Sequence, residues 1–180
     1  TANEEVIYKV DNGGTIHEFF DINGDGLSDK IYIDPNNQTR FIVYLNNGNG
    51  FDTTAQYWGN LAPISGDYWW YIRYVQTNYS AQVSYCTADT RDINGDGLPD
   101  RIVRSPTYPF DYWTVQLNNG HGFDGPITIN FNSGLEEIIF RSEGDGVVTE
   151  TFDINGDGLA DRVYADNQDQ TRFKVLLNNT

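Results

Sequence analysis

Three short segments place acidic and amide side chains at the same spacing: DINGDGLSD at 21–29, DINGDGLPD at 92–100 and DINGDGLAD at 153–161. In every copy, aspartate occupies positions 1, 5 and 9, asparagine position 3, and glycine positions 4 and 6. Two carboxylates about 4 Å apart repel by roughly 4 kcal/mol at an effective dielectric constant near 20. A loop that brings three such groups together is therefore strained unless a cation binds among them.

The types of these side chains indicate which cation would bind. Oxygen donors without sulfur or imidazole suit hard cations, and a flexible loop with several ligands favours calcium over magnesium. The alternative is that Asp, Asn and Gly only form tight turns, although a turn alone does not require aspartate at three fixed positions. The first loop offers five ligands. Leu27 would bind through its backbone carbonyl, and the other four would bind through side-chain oxygens: Asp21, Asn23, Asp25 and Asp29.

An EF-hand is the obvious competing assignment for these loops, since positions 1, 3, 5 and 6 fit its pattern. An EF-hand needs a bidentate glutamate at position 12, where this chain has Tyr32, Val103 and Tyr164. The segments that follow the loops, DKIYID and DRVYAD, also alternate like strands rather than helices. We therefore predict calcium loops within β-hairpins, each closed by the aspartate at position 9.

The elements that hold these loops are repeated along the chain. Residues 4–47 align without gaps to residues 136–179, and over half of the aligned positions are identical. A more divergent middle copy contains the second loop. The 180 residues thus form one repeat domain with units at approximately 4–64, 65–131 and 132–180. Below these are called unit 1, unit 2 and unit 3.

Each unit is predicted to contain four short β-strands. The segments EEVIYKV, TIHEFF, KIYI and TRFIVYL are rich in β-branched and aromatic residues and are bounded by turn formers. Four short strands repeated at about sixty residues are typical of propeller blades, and a sandwich is the alternative. The fold prediction is therefore all-β, with three tandem four-stranded, propeller-type blades. The N-terminal strand EEVIYKV is predicted to complete the unit that ends at Asn179, either within the chain or in a partner copy.

The loops and the LNNGNGFD and LNNGHGFD segments that follow two of them resemble FG-GAP/VCBS repeats. That resemblance extends over all three units and implies blades of a calcium-binding β-propeller, as in integrin α-subunit heads. The LNNG form is similar to repeats of secreted bacterial proteins, including toxin-complex and Rhs-associated toxins, so it implies a secreted or cell-surface location. It also implies three Ca²⁺ sites, with ten ligands in the second and third loops: Asp92, Asn94, Asp96, Leu98, Asp100, Asp153, Asn155, Asp157, Leu159 and Asp161.

Two features depart from the family pattern. Propellers have about four to eight blades, and this chain has three units. The third unit ends at LLNNT, without the GFD that follows in the other two. We therefore expect either a part of a longer propeller or a homo-oligomer that completes one.

Charge and composition narrow the range of partners. The formal net charge is −15, which disfavours polyanions such as nucleic acid and anionic membrane surfaces. No apolar run approaches the roughly 18 residues of a membrane span, so membrane insertion is not expected. No arrangement of residues typical of a catalytic site is apparent, so we do not expect an enzyme.

The predicted function is a calcium-stabilised extracellular scaffold or binding domain, with a protein or a glycan as its ligand. The alternatives are a carbohydrate-binding lectin and a segment of a large, secreted toxin-complex-like shell. Aromatic residues concentrate at Trp58 and in segments 68–75 and 108–113. They fit either packing between units or a platform for a ligand.

Overall fold

The computed structural model describes residues 7–62, 71–105, 112–130, 139–144, 146–166, 168–169 and 171–179. These residues form antiparallel strands and turns and contain no helix, which confirms the all-β prediction. The strands are β1 Lys9–Asp11, β2 Gly14–Phe20, β3 Asp29–Ile33, β4 Phe41–Tyr44, β5 Gln56–Trp58, β6 Tyr74–Asn78, β7 Val83–Arg91, β8 Asp100–Arg104, β9 Tyr112–Gln116, β10 Ile127–Asn130, β11 Phe140–Glu143, β12 Gly146–Phe152, β13 Asp161–Ala165 and β14 Phe173–Leu176.

The strand order repeats with the sequence. In unit 1, β2 pairs with β3, β3 with β4, and β4 with β5. In unit 2, β7, β8, β9 and β10 pair in the same succession. In unit 3, β12, β13 and β14 do so. Each unit also begins with a strand that forms a hairpin with the next one, so the described part of units 1 and 2 has five strands rather than the four predicted.

The long strands β2 and β7 join the units into one sheet. Only the second half of each pairs with the following strand of its own unit. The first half of β7 lies between β6 and β11, so Cys86 faces both Val75 and Phe140 across the sheet. β2 is similarly flanked by β1 and, at Gly14, by β6. The first hairpins of the three units therefore lie side by side in one sheet, and the remaining strands of each unit continue from them.

The first hairpin corrects the expectation for the N-terminal strand. The described part of that segment, β1, pairs with β2 of its own unit, and β14 pairs among the described strands only with β13. The physical cause is local, because Asn12 and Gly13 both have positive φ, at 47° and 84°. Two such residues form the tight turn whose twist suits a two-residue hairpin.

Burial divides the apolar residues into clusters that follow the units. The cluster in unit 1 contains Ile31, Phe41 and Trp58, and Phe123 from unit 2 completes it. The rings of Phe41 and Trp58 each meet that of Phe123 edge-on at 6.1 Å between centroids. The interface between the first two units is therefore part of the hydrophobic core.

Most of the predicted aromatic group is core where the structure describes it. Trp58, Tyr71, Tyr74 and Trp113 are all buried, and Tyr71 stacks on Tyr74 with centroids 5.1 Å apart. The remaining members of that group, at 68–70 and 108–111, lie outside the described residues. Packing thus accounts for these four side chains, whereas Tyr112 is half-buried.

An ion pair fixes the turn between β3 and β4. Arg40 Nε lies 2.6 Å from Asp34 Oδ2, and the N–H of Asn36 donates to Asp34 Oδ1 at 2.8 Å. Burial raises the pKa of the Asp34 carboxyl, but these contacts outweigh burial and leave its pKa below the ordinary value. The turn is therefore stabilised by an ionised carboxylate.

Candidate metal centre

The three acidic loops occupy equivalent places, each joining two strands of one antiparallel hairpin. The first loop connects β2 to β3, the second β7 to β8, and the third β12 to β13. The flanking strands close on the aspartate at position 9, as in the pairing of Phe20 with Asp29. Arg91 pairs with Asp100 in the same way, and Phe152 pairs with Asp161 in unit 3. The prediction that these loops lie within β-hairpins is therefore confirmed.

The first aspartate holds each loop closed. Asp21 Oδ1 accepts a hydrogen bond from the N–H of Gly24 at 2.7 Å, and its Oδ2 accepts one from Gly26 at 2.7 Å. Asp92 makes these bonds at 2.7 and 2.8 Å, and Asp153 at 2.7 and 2.9 Å. Gly24 and Gly26 have φ of 78° and 85°, where a side chain would be strained. Position 1 and the two glycines therefore specify one backbone path.

The residues at positions 3 and 5 line the solvent side of the loop. In the first loop, Asn23 Nδ2 donates to Asp25 Oδ2 at 3.0 Å, while Asp25 Oδ1 accepts the N–H of Leu27 at 2.8 Å. The same amide–carboxylate bond is 2.9 Å long in the second loop and 2.8 Å in the third. The position-5 carboxylates are exposed in all three loops. Each carboxylate oxygen retains a lone pair beyond the bond that it accepts.

The aspartate at position 9 is turned inward. Asp29, Asp100 and Asp161 are completely buried. Asp29 Oδ2 accepts the N–H of Ile22 at 3.1 Å, and its Oδ1 accepts that of Asn46 at 2.8 Å. The other two aspartates bind the equivalent N–H groups. Position 9 therefore connects the loop to the end of β4 or its counterpart, a structural role that the sequence prediction did not include.

Electrostatics show that the carboxylates of one loop act on each other. Burial raises the pKa of Asp100 to about 6, although hydrogen bonds from two backbone N–H groups act in the opposite direction. The charges of Asp96 and Asp92 raise it further. Asp29 has its pKa raised by burial in the same way, with the other two carboxylates of its loop adding to the effect. A cation beside the loop would relieve this repulsion.

The residues present fit a hard cation, although they are not gathered around one point. Within the described residues, no group of three or more His, Cys, Asp or Glu side chains is arranged to hold a metal ion. The exposed donors are oxygens, and positions 1, 3 and 5 lie in one hydrogen-bonded network. Binding at Asp21, Asn23, Asp25 and the Leu27 carbonyl would require their side chains to rotate towards a common point. Asp29 would have to contribute a lone pair that its two N–H donors leave unused.

The asparagine of the LNN segment is the functional residue that the sequence analysis missed. Asn118 Nδ2 donates to the carbonyl of Ile22 in the preceding unit at 2.7 Å. Asn178 Nδ2 donates to the carbonyl of Ile93 at 2.8 Å, again one unit earlier. The repeated LNN was visible in sequence, but nothing local shows that its amide reaches another unit. These bonds connect the first and second acidic loops to the next repeat.

Comparison of the sequence with models of protein families and with curated proteins finds no match. The resemblance to FG-GAP/VCBS repeats therefore stays a prediction. Among the described residues, no helix is long and apolar enough to cross a membrane.

Proposed function

We propose that this chain is a non-catalytic, calcium-stabilised repeat module whose units are propeller-type blades. It serves as a scaffold or binding domain in the calcium-rich space outside the cell. The observation that carries the proposal is the reproduction of one loop geometry three times, with oxygen donors on its exposed side. Extracellular modules bind calcium with dissociation constants of about 10⁻⁴ to 10⁻³ M, which suits loops that are formed but not fully converged.

The position of the loops explains what calcium would do for the fold. A methyl group added at Gly24 would lie 2.6 Å from Leu98 Cδ2, and one at Gly95 would lie 2.7 Å from the Gly158 carbonyl. Successive loops thus pack against each other along one side of the repeats. Three divalent ions would add six positive charges to a chain of formal net charge −15. Neutralisation would therefore strengthen contacts between units as well as within each loop.

A scaffold agrees better with the core than a sugar-binding platform built from the predicted aromatic group. Four of its described members, Trp58, Tyr71, Tyr74 and Trp113, are buried, where they cannot stack on a ligand. A glycan array on the folded chain tests the lectin alternative directly, and specific binding to a sugar would favour the lectin over a scaffold.

The proposal is tested by thermal unfolding with calcium, with magnesium and with a chelator. Calcium should raise the melting temperature and the chelator should reverse the rise, because a ligand that binds only the folded state stabilises it. Asp25→Asn, Asp96→Asn and Asp157→Asn together should remove the rise, since an amide keeps one oxygen to accept the backbone N–H two residues further on but loses the negative charge. Asp52→Asn, outside the loops, is the control and should retain the rise. A melting temperature that calcium leaves unchanged would overturn the proposal.

A further inference from the structure

The interface between units 1 and 2 defines two complementary faces. Unit 2 contributes Leu98, Asn118 and Phe123, which we call the leading face of that unit. Unit 1 receives them on its trailing face, where Asn118 binds the Ile22 carbonyl at 2.7 Å and Phe123 packs on Phe41. Phe123 is 4% exposed and both Ile22 and Phe41 are fully buried. One repeat thus covers the apolar surface of the repeat before it.

The interface between units 2 and 3 repeats part of this arrangement. Asn178 binds the carbonyl of Ile93, the counterpart of Ile22. Leu159 lies where Leu98 lies in the first interface, since a methyl group at Gly95 would be 3.4 Å from its Cδ2. The direction is the same, with the leading face of each unit on the trailing face of its predecessor.

The trailing face of unit 3 carries the same apolar residues without the same cover. Ile154 is 44% exposed, whereas its counterparts Ile22 and Ile93 are 0% and 5% exposed. Phe173, equivalent to Phe41, is 71% exposed. Together with Val163 these side chains line an open groove of 270 Å³. No described residue donates to the Ile154 carbonyl as Asn118 and Asn178 do to its counterparts.

The leading face of unit 1 is the matching surface at the other end. Leu27 and Phe51, the counterparts of Leu98 and Phe123, are 37% and 40% exposed. Asn46 Nδ2 donates to the carbonyl of Ser28 in its own unit at 3.1 Å. Asn118 Nδ2 makes the equivalent bond to the Pro99 carbonyl in addition to its bond with Ile22. Because an amide has two N–H donors, one remains for a neighbouring unit.

We propose that the leading face of unit 1 binds the trailing face of unit 3 of a second copy of this chain. Phe51 enters the groove beside Phe173, Leu27 lies on Gly156, and the Asn46 amide donates to the Ile154 carbonyl. Gly156 has room for this contact, since a methyl group added there meets no atom within 4 Å. The occupant is chosen because the same three contacts already join units 1 and 2 within the chain. Such a head-to-tail contact closes a ring or continues into a longer array.

Sedimentation velocity in calcium at 0.15 M salt tests this association, since that ionic strength screens the repulsion between acidic copies beyond about 8 Å. The wild-type mass should rise with concentration to at least twice that of the monomer. Phe51→Glu and Phe173→Glu, at opposite faces, should each remain monomeric. Their equimolar mixture should form a complex of two chains that grows no further, because it retains one intact pair of faces.

Tyr79→Glu provides the matched control, because Tyr79 is 88% exposed on the turn after β6 and belongs to neither face. It should associate like the wild type, and circular dichroism should show the same fold for all variants. A wild-type chain that stays monomeric at its highest soluble concentration overturns the proposal. So does a mixture of the two face variants that stays monomeric, or association that both variants retain. The outcome does not depend on whether the proposed calcium function holds, which is read from the melting temperature instead.

Discussion

The hydrogen bond between Asn118 and Ile22 gives a quantitative test of how the repeats are joined. Asn118→Ala removes the amide that donates to the Ile22 carbonyl at 2.7 Å and to the Pro99 carbonyl at 3.2 Å. It also removes the oxygen that accepts the N–H of Gly120 at 2.9 Å. Only the first of these bonds connects two units, so a control that shares the other two is needed.

Asn46→Ala is that control, because Asn46 occupies the same position in unit 1. Its amide donates to the Ser28 carbonyl at 3.1 Å and its oxygen accepts the N–H of Gly48 at 3.0 Å. The difference between the two variants therefore isolates the contact with Ile22. A buried carbonyl left without its donor costs about 1–3 kcal/mol. We expect Asn118→Ala to lower the free energy of unfolding by that much more than Asn46→Ala does.

Urea denaturation of both variants measures this difference. Both are made in a Phe173→Glu background and measured in dilute solution, which keeps Asn46 out of the proposed contact between copies. At this chain length, each kcal/mol lowers the melting temperature by about 2–4 °C. Equal destabilisation by the two substitutions would refute the argument that the LNN asparagine joins the repeats.

Three further predictions use the same background, and urea denaturation measures each. Gly95→Ala should cost roughly 1–3 kcal/mol more than Gly156→Ala, because both have positive φ but only the first meets a neighbouring carbonyl; equal costs would contradict the packing of the loops. Phe123→Ala should cost about 3–5 kcal/mol and Phe51→Ala far less, since only Phe123 fills a core; similar losses would contradict that assignment. Asp34→Asn should destabilise near neutral pH. Because folding lowers the Asp34 pKa, that stabilisation is present above the unfolded value of about 3.9 and disappears as pH falls through the folded pKa. A pH-independent difference from wild type would contradict the role of the ionised carboxylate.

The local features of this fold were readable from the sequence because they depend on neighbouring residues. Short segments rich in β-branched and aromatic residues, bounded by turn formers, located β2, β3 and β4, and the spacing of Asp and Gly located the loops. The Asn12–Gly13 turn was equally local, yet it was not recognised, so the N-terminal strand was assigned to the wrong partner. That error came from reasoning about how a propeller closes rather than from the residues themselves.

The contacts between repeats could not be predicted in the same way. Ile22, Ile93 and Ile154 occupy identical positions in near-identical loops, but only the first two are buried. Their burial depends on whether another unit packs against them, and the sequence of the loop itself does not show this. The role of the LNN asparagine was missed for the same reason, since its amide reaches a loop in another unit. The position-9 aspartate binds within its own unit, so its role was missed for a different reason: it was considered only as a metal ligand.

The most direct test of the account is a count of the calcium ions that the folded chain binds, by isothermal titration calorimetry on protein first freed of divalent ions. We expect three sites per chain with dissociation constants of about 10⁻⁴ to 10⁻³ M. Asp96→Asn should leave two sites and Asp124→Asn should leave three. A folded chain that binds no calcium, or one whose count is the same in both variants, would contradict the claim that these loops are metal sites.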